Sequence, residues 1–130
     1  MLIYSKEILK HFKNPKNMGE IKGADGIGVA GNPLCGDVME FFLKIGENKN
    51  KEKIIKDIKF KTLGCAVAIA NASLLTVMIK GKTVEEALKI KKKDLLEKLG
   101  KPLPPVKIHC SVLAIEALYK AIRDYLKKVS

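Results

Sequence analysis

Three cysteines, an aspartate and a histidine are the residues of this 130-residue chain best placed to do chemistry, and their surroundings matter as much as their types. His109-Cys110-Ser111 follows directly on Leu103-Pro104-Pro105-Val106-Lys107. Prolines 104 and 105 can neither continue a helix nor donate to a sheet ladder, so they hold the approach extended and exposed. The helix that follows carries an apolar stripe through Leu113, Ala114, Ala117, Leu118, Ala121, Ile122, Tyr125, Leu126 and Val129. Cys110 then falls at a helix N-terminus, where unpaired backbone N–H groups, the helix dipole and nearby Lys107 favour a thiolate. It reads as a reactive or metal-binding cysteine. Gly64-Cys65 repeats the arrangement at the mouth of a second helix, Ala66 to Ile79. Cys35 and Asp37 lie two residues apart in the turn sequence Asn32-Pro33-Leu34-Cys35-Gly36-Asp37, and in extended chain such residues point the same way.

Each cysteine is expected at a turn or helix start and outside the apolar stripes. Three thiolates with an aspartate or histidine can close a tetrahedral Zn²⁺ site, or hold an iron–sulfur cluster in which one of the usual four cysteines is replaced. A carboxylate is a harder ligand than a thiolate, so a three-cysteine, one-aspartate cluster is held less firmly than a four-cysteine one. His109 and Cys110, being adjacent, are poorly placed for the proton relay of a cysteine-nucleophile enzyme.

The elements that must position these residues are legible in the periodicity. A short helix runs from Tyr4 to Phe12, stopped by Asn14-Pro15, and places His11 on what reads as a solvated surface. Gly19 to Asn32 is glycine-rich and can hold a short edge strand through Ile27 and Val29, but matches no phosphate-binding loop. Val38 to Ile45 and Ile54 to Leu63 read as strands of an antiparallel hairpin, with the register blurred by Ile55 and by adjacent Phe41 and Phe42. Thr83-Val84-Glu85-Glu86 is a capping box opening a short helix to about Ile90, and Asp94 can cap another through Leu99.

At 47% hydrophobic, the chain suits one compact domain spanning residues 1–130. Its longest apolar stretch, Ala66 to Ile79, is too short to span a bilayer, and no signal-peptide pattern opens the chain, so no membrane role and a cytoplasmic location are expected. The net charge of +11 is almost wholly lysine, with Arg123 the single arginine and aromatics at 5%. A surface that clamps phosphates or stacks bases would use arginine and aromatic side chains, so nucleic acid is not the expected partner. A lysine-rich solvated surface, as in heat-adapted proteins, accounts for the charge.

The motifs together resemble the IscU family of iron–sulfur cluster assembly scaffolds, which includes the N-terminal domain of NifU. The similarity runs through Tyr4-Ser5-Lys6, Asn14-Pro15, Cys35-Gly36-Asp37-Val38-Met39, Phe60-Lys61-Thr62, Gly64-Cys65, Ala68-Ile69-Ala70, Lys80-Gly81-Lys82 and the whole segment Leu103 to Ser111. The resemblance implies an α/β (α+β) fold, a small antiparallel sheet with helices packed on one side. It also implies a non-enzymatic scaffold on which a [2Fe–2S] cluster is built from iron and sulfur. Cys35, Asp37, Cys65 and Cys110 would be the ligands, His109 an alternative or neighbouring ligand, and Cys110 the first acceptor of persulfide sulfur. Zn²⁺ is the alternative occupant of the empty site, and a zinc protein with a structural or regulatory site the alternative function. Implied partners are a cysteine desulfurase of the IscS/NifS type, ferredoxin and apo iron–sulfur acceptors. An Hsp70-type chaperone with its co-chaperone would read Leu103, Pro104, Pro105, Val106 and Lys107. Both a monomer and a homodimer around a shared cluster are compatible with the sequence.

Overall fold

A computed structural model describes residues 5–32, 36–100 and 108–130. In chain order its elements are α1 (Lys6–Lys13), β1 (Gly26–Asn32), β2 (Asp37–Glu47), β3 (Lys53–Leu63), α2 (Ala66–Ile79), α3 (Val84–Leu88), α4 (Lys92–Leu99) and α5 (Ile108–Val129). Among the described residues the strands form one antiparallel sheet in the order β1-β2-β3.

Alternation sorts the sheet into two faces. Met39, Phe41 and Leu43 of β2 point inward with Ile58 and Phe60 of β3, all essentially inaccessible. Phe41 and Phe60 are directly paired, with ring centroids 6.3 Å apart in a tilted arrangement. The expected ambiguity of register has a physical cause: Lys44 pairs with Asp57 but Ile45 with Ile55, so Lys56 bulges out of the ladder. The extra residue lets Ile55 and Ile58 both face the core.

The closest helix packing lies on that inward face, although Phe42 of the opposite face is also buried. α5 crosses β1 and β2, while α2 packs against β3 and α5. The approach of α5 to β1 is so close that a Cβ on Gly28 would stand 2.4 Å from the Ala117 carbonyl oxygen and 2.2 Å from the Ala121 nitrogen, so only glycine fits there. α2 is apolar on every side, the mark of a helix surrounded by protein, and is flanked by α1, α4 and α5. No helix among the described residues is long and apolar enough to cross a membrane.

The outer edge of β3 is not bare. Phe60 donates its N–H to the Asn17 carbonyl and accepts from Gly19, and Ile55 donates to Lys82 and accepts from Gly81. At the other edge the outward N–H of Ile27 donates to the Asp124 carboxylate of α5.

One local expectation needs correction, and two helix ends fall at other residues than the periodicity implies. His11 is not solvated: it is 5% exposed, wedged between α1 and α2, with Nδ1 2.7 Å from the Ser73 hydroxyl oxygen. That oxygen also accepts the Lys16 N–H, and Asn17 donates its amide to Thr76, so the polar residues of α2 pin the N-terminal segment. Burial pulls the His11 pKa below its ordinary value, with nearby Glu7 opposing. Asp94 does cap α4, but from the third helical position, its carboxylate accepting the N–H of Lys91 at the N-cap. The capping box at Thr83 and Glu86 forms as expected, though its helix ends at Leu88.

Candidate functional site

Three chain segments converge at one end of the sheet: the first residue of β2, the turn from β3 into α2, and the first turn of α5. Asp37 opens β2. Cys65 occupies the N-cap position of α2 with extended backbone angles, and its side chain makes no capping hydrogen bond. His109 and Cys110 are the second and third residues of α5, so the helix begins at Ile108 and takes both into its first turn.

Gly64 lets these segments meet. A Cβ there would stand 2.9 Å from the Ala68 Cβ, closer than side chains tolerate, and 3.5 Å from Asp37 Oδ1. Any larger residue would push the turn carrying Cys65 away from α2 and from the carboxylate.

The four donors form a chain of near contacts. Cys65 Sγ lies 4.0 Å from Cys110 Sγ, Cys110 Sγ lies 3.8 Å from His109 Nε2, and the same nitrogen lies 3.0 Å from Asp37 Oδ2. Cys65 and Cys110 are thiols and not a disulfide. Among the described residues no three His, Cys, Asp or Glu side chains converge as a group able to hold a metal ion. The donors run in a line from soft sulfur to hard oxygen, with the imidazole as the middle link.

Burial divides the line. Cys110 is fully inaccessible and Cys65 half-buried, whereas the His109 and Asp37 side chains remain 48% and 31% exposed. The burial of Cys110 corrects the expectation that every cysteine stands outside the apolar stripes. Positions 110, 114, 117 and 121 share one helix face, and all four are buried.

Of the residues singled out in the sequence, Asp37, Cys65, His109 and Cys110 are therefore brought together. Cys35 and the segment 103–107 lie outside the described residues, and His11 lies away from the group, between α1 and α2. Sequence reasoning missed the polar support behind the thiols. Asn71 and Ser111, both fully buried, join α2 to α5 through a hydrogen bond from the Ser111 hydroxyl to Asn71 Oδ1. The signal was an asparagine in an otherwise apolar helix, a residue that must find a partner when buried.

Comparison with known proteins shows which family the fold belongs to. At 52% identity the chain matches "Iron-sulfur cluster assembly scaffold protein IscU 1" of Archaeoglobus fulgidus, covering 97% of this chain and 78% of the relative. A protein of Azotobacter vinelandii named "Iron-sulfur cluster assembly scaffold protein IscU" is 48% identical, with 98% and 97% covered. The fold matches the N-terminal part of a nitrogen-fixing NifU-like protein from Brucella abortus with a TM-score of 0.71, at 20% identity and with 95% and 94% covered. The family model of the NifU-like N-terminal domain matches residues 3–130, and the chain belongs to that family.

Proposed function

We propose that this protein is a scaffold on which [2Fe–2S] clusters are assembled and from which they are passed to apo-proteins. The single observation that carries the reading is the line of donors Cys65, Cys110, His109 and Asp37 at one end of a NifU-like N-terminal domain. The naming of its relatives as iron–sulfur cluster assembly scaffolds supports it.

In this reading iron and sulfur are substrates, and the protein contributes ligands and does not turn over as an enzyme. Cys35, Asp37, Cys65 and Cys110 hold the cluster, with His109 able to replace the carboxylate. A cysteine desulfurase supplies sulfur as a persulfide. A thiolate here attacks its outer sulfur, the S–S bond breaks, and the desulfurase thiolate leaves. Cys110 is the acceptor in which the sulfur comes to rest, but its own sulfur is covered, while Cys65 is part-exposed at a helix N-terminus that favours an anion. First acceptance thus moves from Cys110 to Cys65, and the sulfur enters as a Cys65 persulfide. The Cys110 thiolate, 4.0 Å away, then attacks its outer sulfur, the S–S bond breaks and the Cys65 thiolate leaves. Each sulfur arrives two electrons above sulfide, and a ferredoxin is the reductant that supplies them. Residues 103–107 are the segment an Hsp70-type chaperone and its co-chaperone recognise.

Anaerobic reconstitution with ferrous iron, cysteine, a desulfurase and reduced ferredoxin tests the proposal. The expected result is the visible absorption of a [2Fe–2S] chromophore that moves to an apo-ferredoxin on mixing. A protein that stays colourless under these conditions while taking up Zn²⁺ would reject it.

A further inference from the structure

α2 places three polar side chains, Asn71, Ser73 and Thr76, where no solvent reaches them. Ser73 and Thr76 are accounted for by α1 and the segment after it. Asn71 turns the other way. Its amide Nδ2 donates to the Val67 carbonyl 2.8 Å away, one turn back in its own helix, which fixes the plane of the amide. The carbonyl oxygen is thereby aimed at α5, where it receives the Ser111 hydroxyl.

The sequence neighbours of this pair give it a consequence. Ser111 follows Cys110 directly, and Asn71 lies six residues after Cys65 on the helix that Cys65 begins. Apart from their few buried polar side chains, the two helices that meet here contribute small or apolar residues to the core, Val67, Ala68, Ala70 and Ala114 among them. Apolar contact is non-directional and leaves a helix free to slide or rotate by a fraction of a turn at small cost. A hydrogen bond with both partners desolvated does not, since breaking it leaves a buried polar atom without a partner.

We propose that Asn71 and Ser111 are positioning residues that set the separation of Cys65 and Cys110. Their hydrogen bond locks the first turn of α5 in register against α2, and the 4.0 Å spacing of the thiols follows. The proposal deepens the scaffold reading, in which the two thiols act together, and its test is independent of cluster chemistry.

The readout is the equilibrium of the thiol pair with glutathione in a Cys35→Ser background. One glutathione disulfide oxidises Cys65 and Cys110 to an intramolecular disulfide and yields two glutathione thiols. The equilibrium constant measures the effective concentration of one sulfur at the other, which is a property of their positioning. In Asn71→Leu/Ser111→Ala the polar pair is replaced by apolar groups, so the unfolding midpoint stays near that of the parent. The effective concentration is expected to fall about tenfold, the scale of a sub-ångström to ångström misplacement. Ser111→Ala alone should lose part of it, and Ser111→Thr, which keeps the hydroxyl, should retain it. An unchanged constant in both Ser111→Ala and the double variant overturns the proposal. So does a loss in Ser111→Thr as large as in Ser111→Ala, or a double variant that does not fold, which would make the pair a source of stability and not of spacing. If reconstitution fails but the thiol equilibrium shifts as described, the scaffold reading falls and the positioning role stands.

Discussion

Cys65 and Cys110 meet between two helices that run on into the core, whereas Asp37 and His109 meet at the rim with 31% and 48% of their side chains exposed. The separations are comparable, but what enforces them is not. Packing and a buried hydrogen bond hold the sulfur pair, and on its buried member, Cys110, a substitution disturbs the fold as well as the chemistry. The rim pair is held by an attraction that water screens, of the kind worth ~0–1 kcal/mol, so a substitution there alters the chemistry and leaves the fold nearly untouched. A site built this way can grip its cargo on one side and release it on the other.

The largest effect that can break this comparison comes from the thiols themselves. Cys110→Ser and Cys65→Ser should each abolish stable cluster binding, because soft thiolates hold the iron. Their stabilities should diverge. Cys110→Ser puts a hydroxyl into a fully buried position at a cost of about 1–3 kcal/mol, while Cys65→Ser, at a part-exposed helix start, should stay within ~0.5 kcal/mol of the parent. Denaturant unfolding of the two apo-variants distinguishes them, and equal losses would mean that burial does not set the cost at Cys110.

Next in size is Asp37→Ala. The hardest and most weakly held ligand leaves, and His109 Nε2, 3.0 Å from the carboxylate oxygen it replaces, can take over as a neutral nitrogen ligand. The cluster should live longer and pass to apo-ferredoxin several-fold more slowly, with stability of the apo-protein little changed. Cluster lifetime and transfer rate measured side by side decide the matter; faster loss with undiminished transfer removes the rim from the release step.

The smallest effect sharpens the comparison by locating acid sensitivity away from the site. The folded-state pKa of His11 is lowered by burial, so between that value and the ordinary value of about 6.5 the unfolded chain binds more protons than the folded one. Its contribution to stability is complete above pH ~6.5 and diminishes as the pH falls through that window. The denaturant midpoint should decline on mild acidification in the parent and decline less in His11→Gln. An identical decline in both would place the acid-sensitive group elsewhere.

The hairpin and the long helices could be read from the sequence because strand and helix periods are local properties, whereas the meeting of Asp37, Cys65, His109 and Cys110 was implied by their ligand types and by the family resemblance. What could not be read depends on partners far along the chain. His11 looks solvated on an eight-residue helix until α2 covers it, since nothing in the helix itself reports what packs against it. The Lys56 bulge is visible only as a blurred alternation, because two inward isoleucines three residues apart fit neither strand period without an extra residue. Cys110 was misjudged for a different reason. At position 110 a helix N-terminus and an apolar stripe coincide, since the stripe extends back through Cys110. The Asn71–Ser111 bond joins residues forty positions apart, and only the packing of α2 on α5 reveals it.

The covered edge of β3 bears on how crowded copies of this chain behave. A sheet edge with unpaired N–H and C=O groups invites strand addition by another molecule, the first step of edge-to-edge aggregation. Here the backbone groups of Ile55 and Phe60 are already taken by residues 81–82 and by 17 and 19, while Asp124 occupies the Ile27 N–H on the opposite edge. These pairings sit along the sheet and not at its Leu63 end, where the cysteine-bearing turn begins. A displacement of helices around that turn would therefore leave these pairings in place and uncover no template for fibrils along the sides of the sheet.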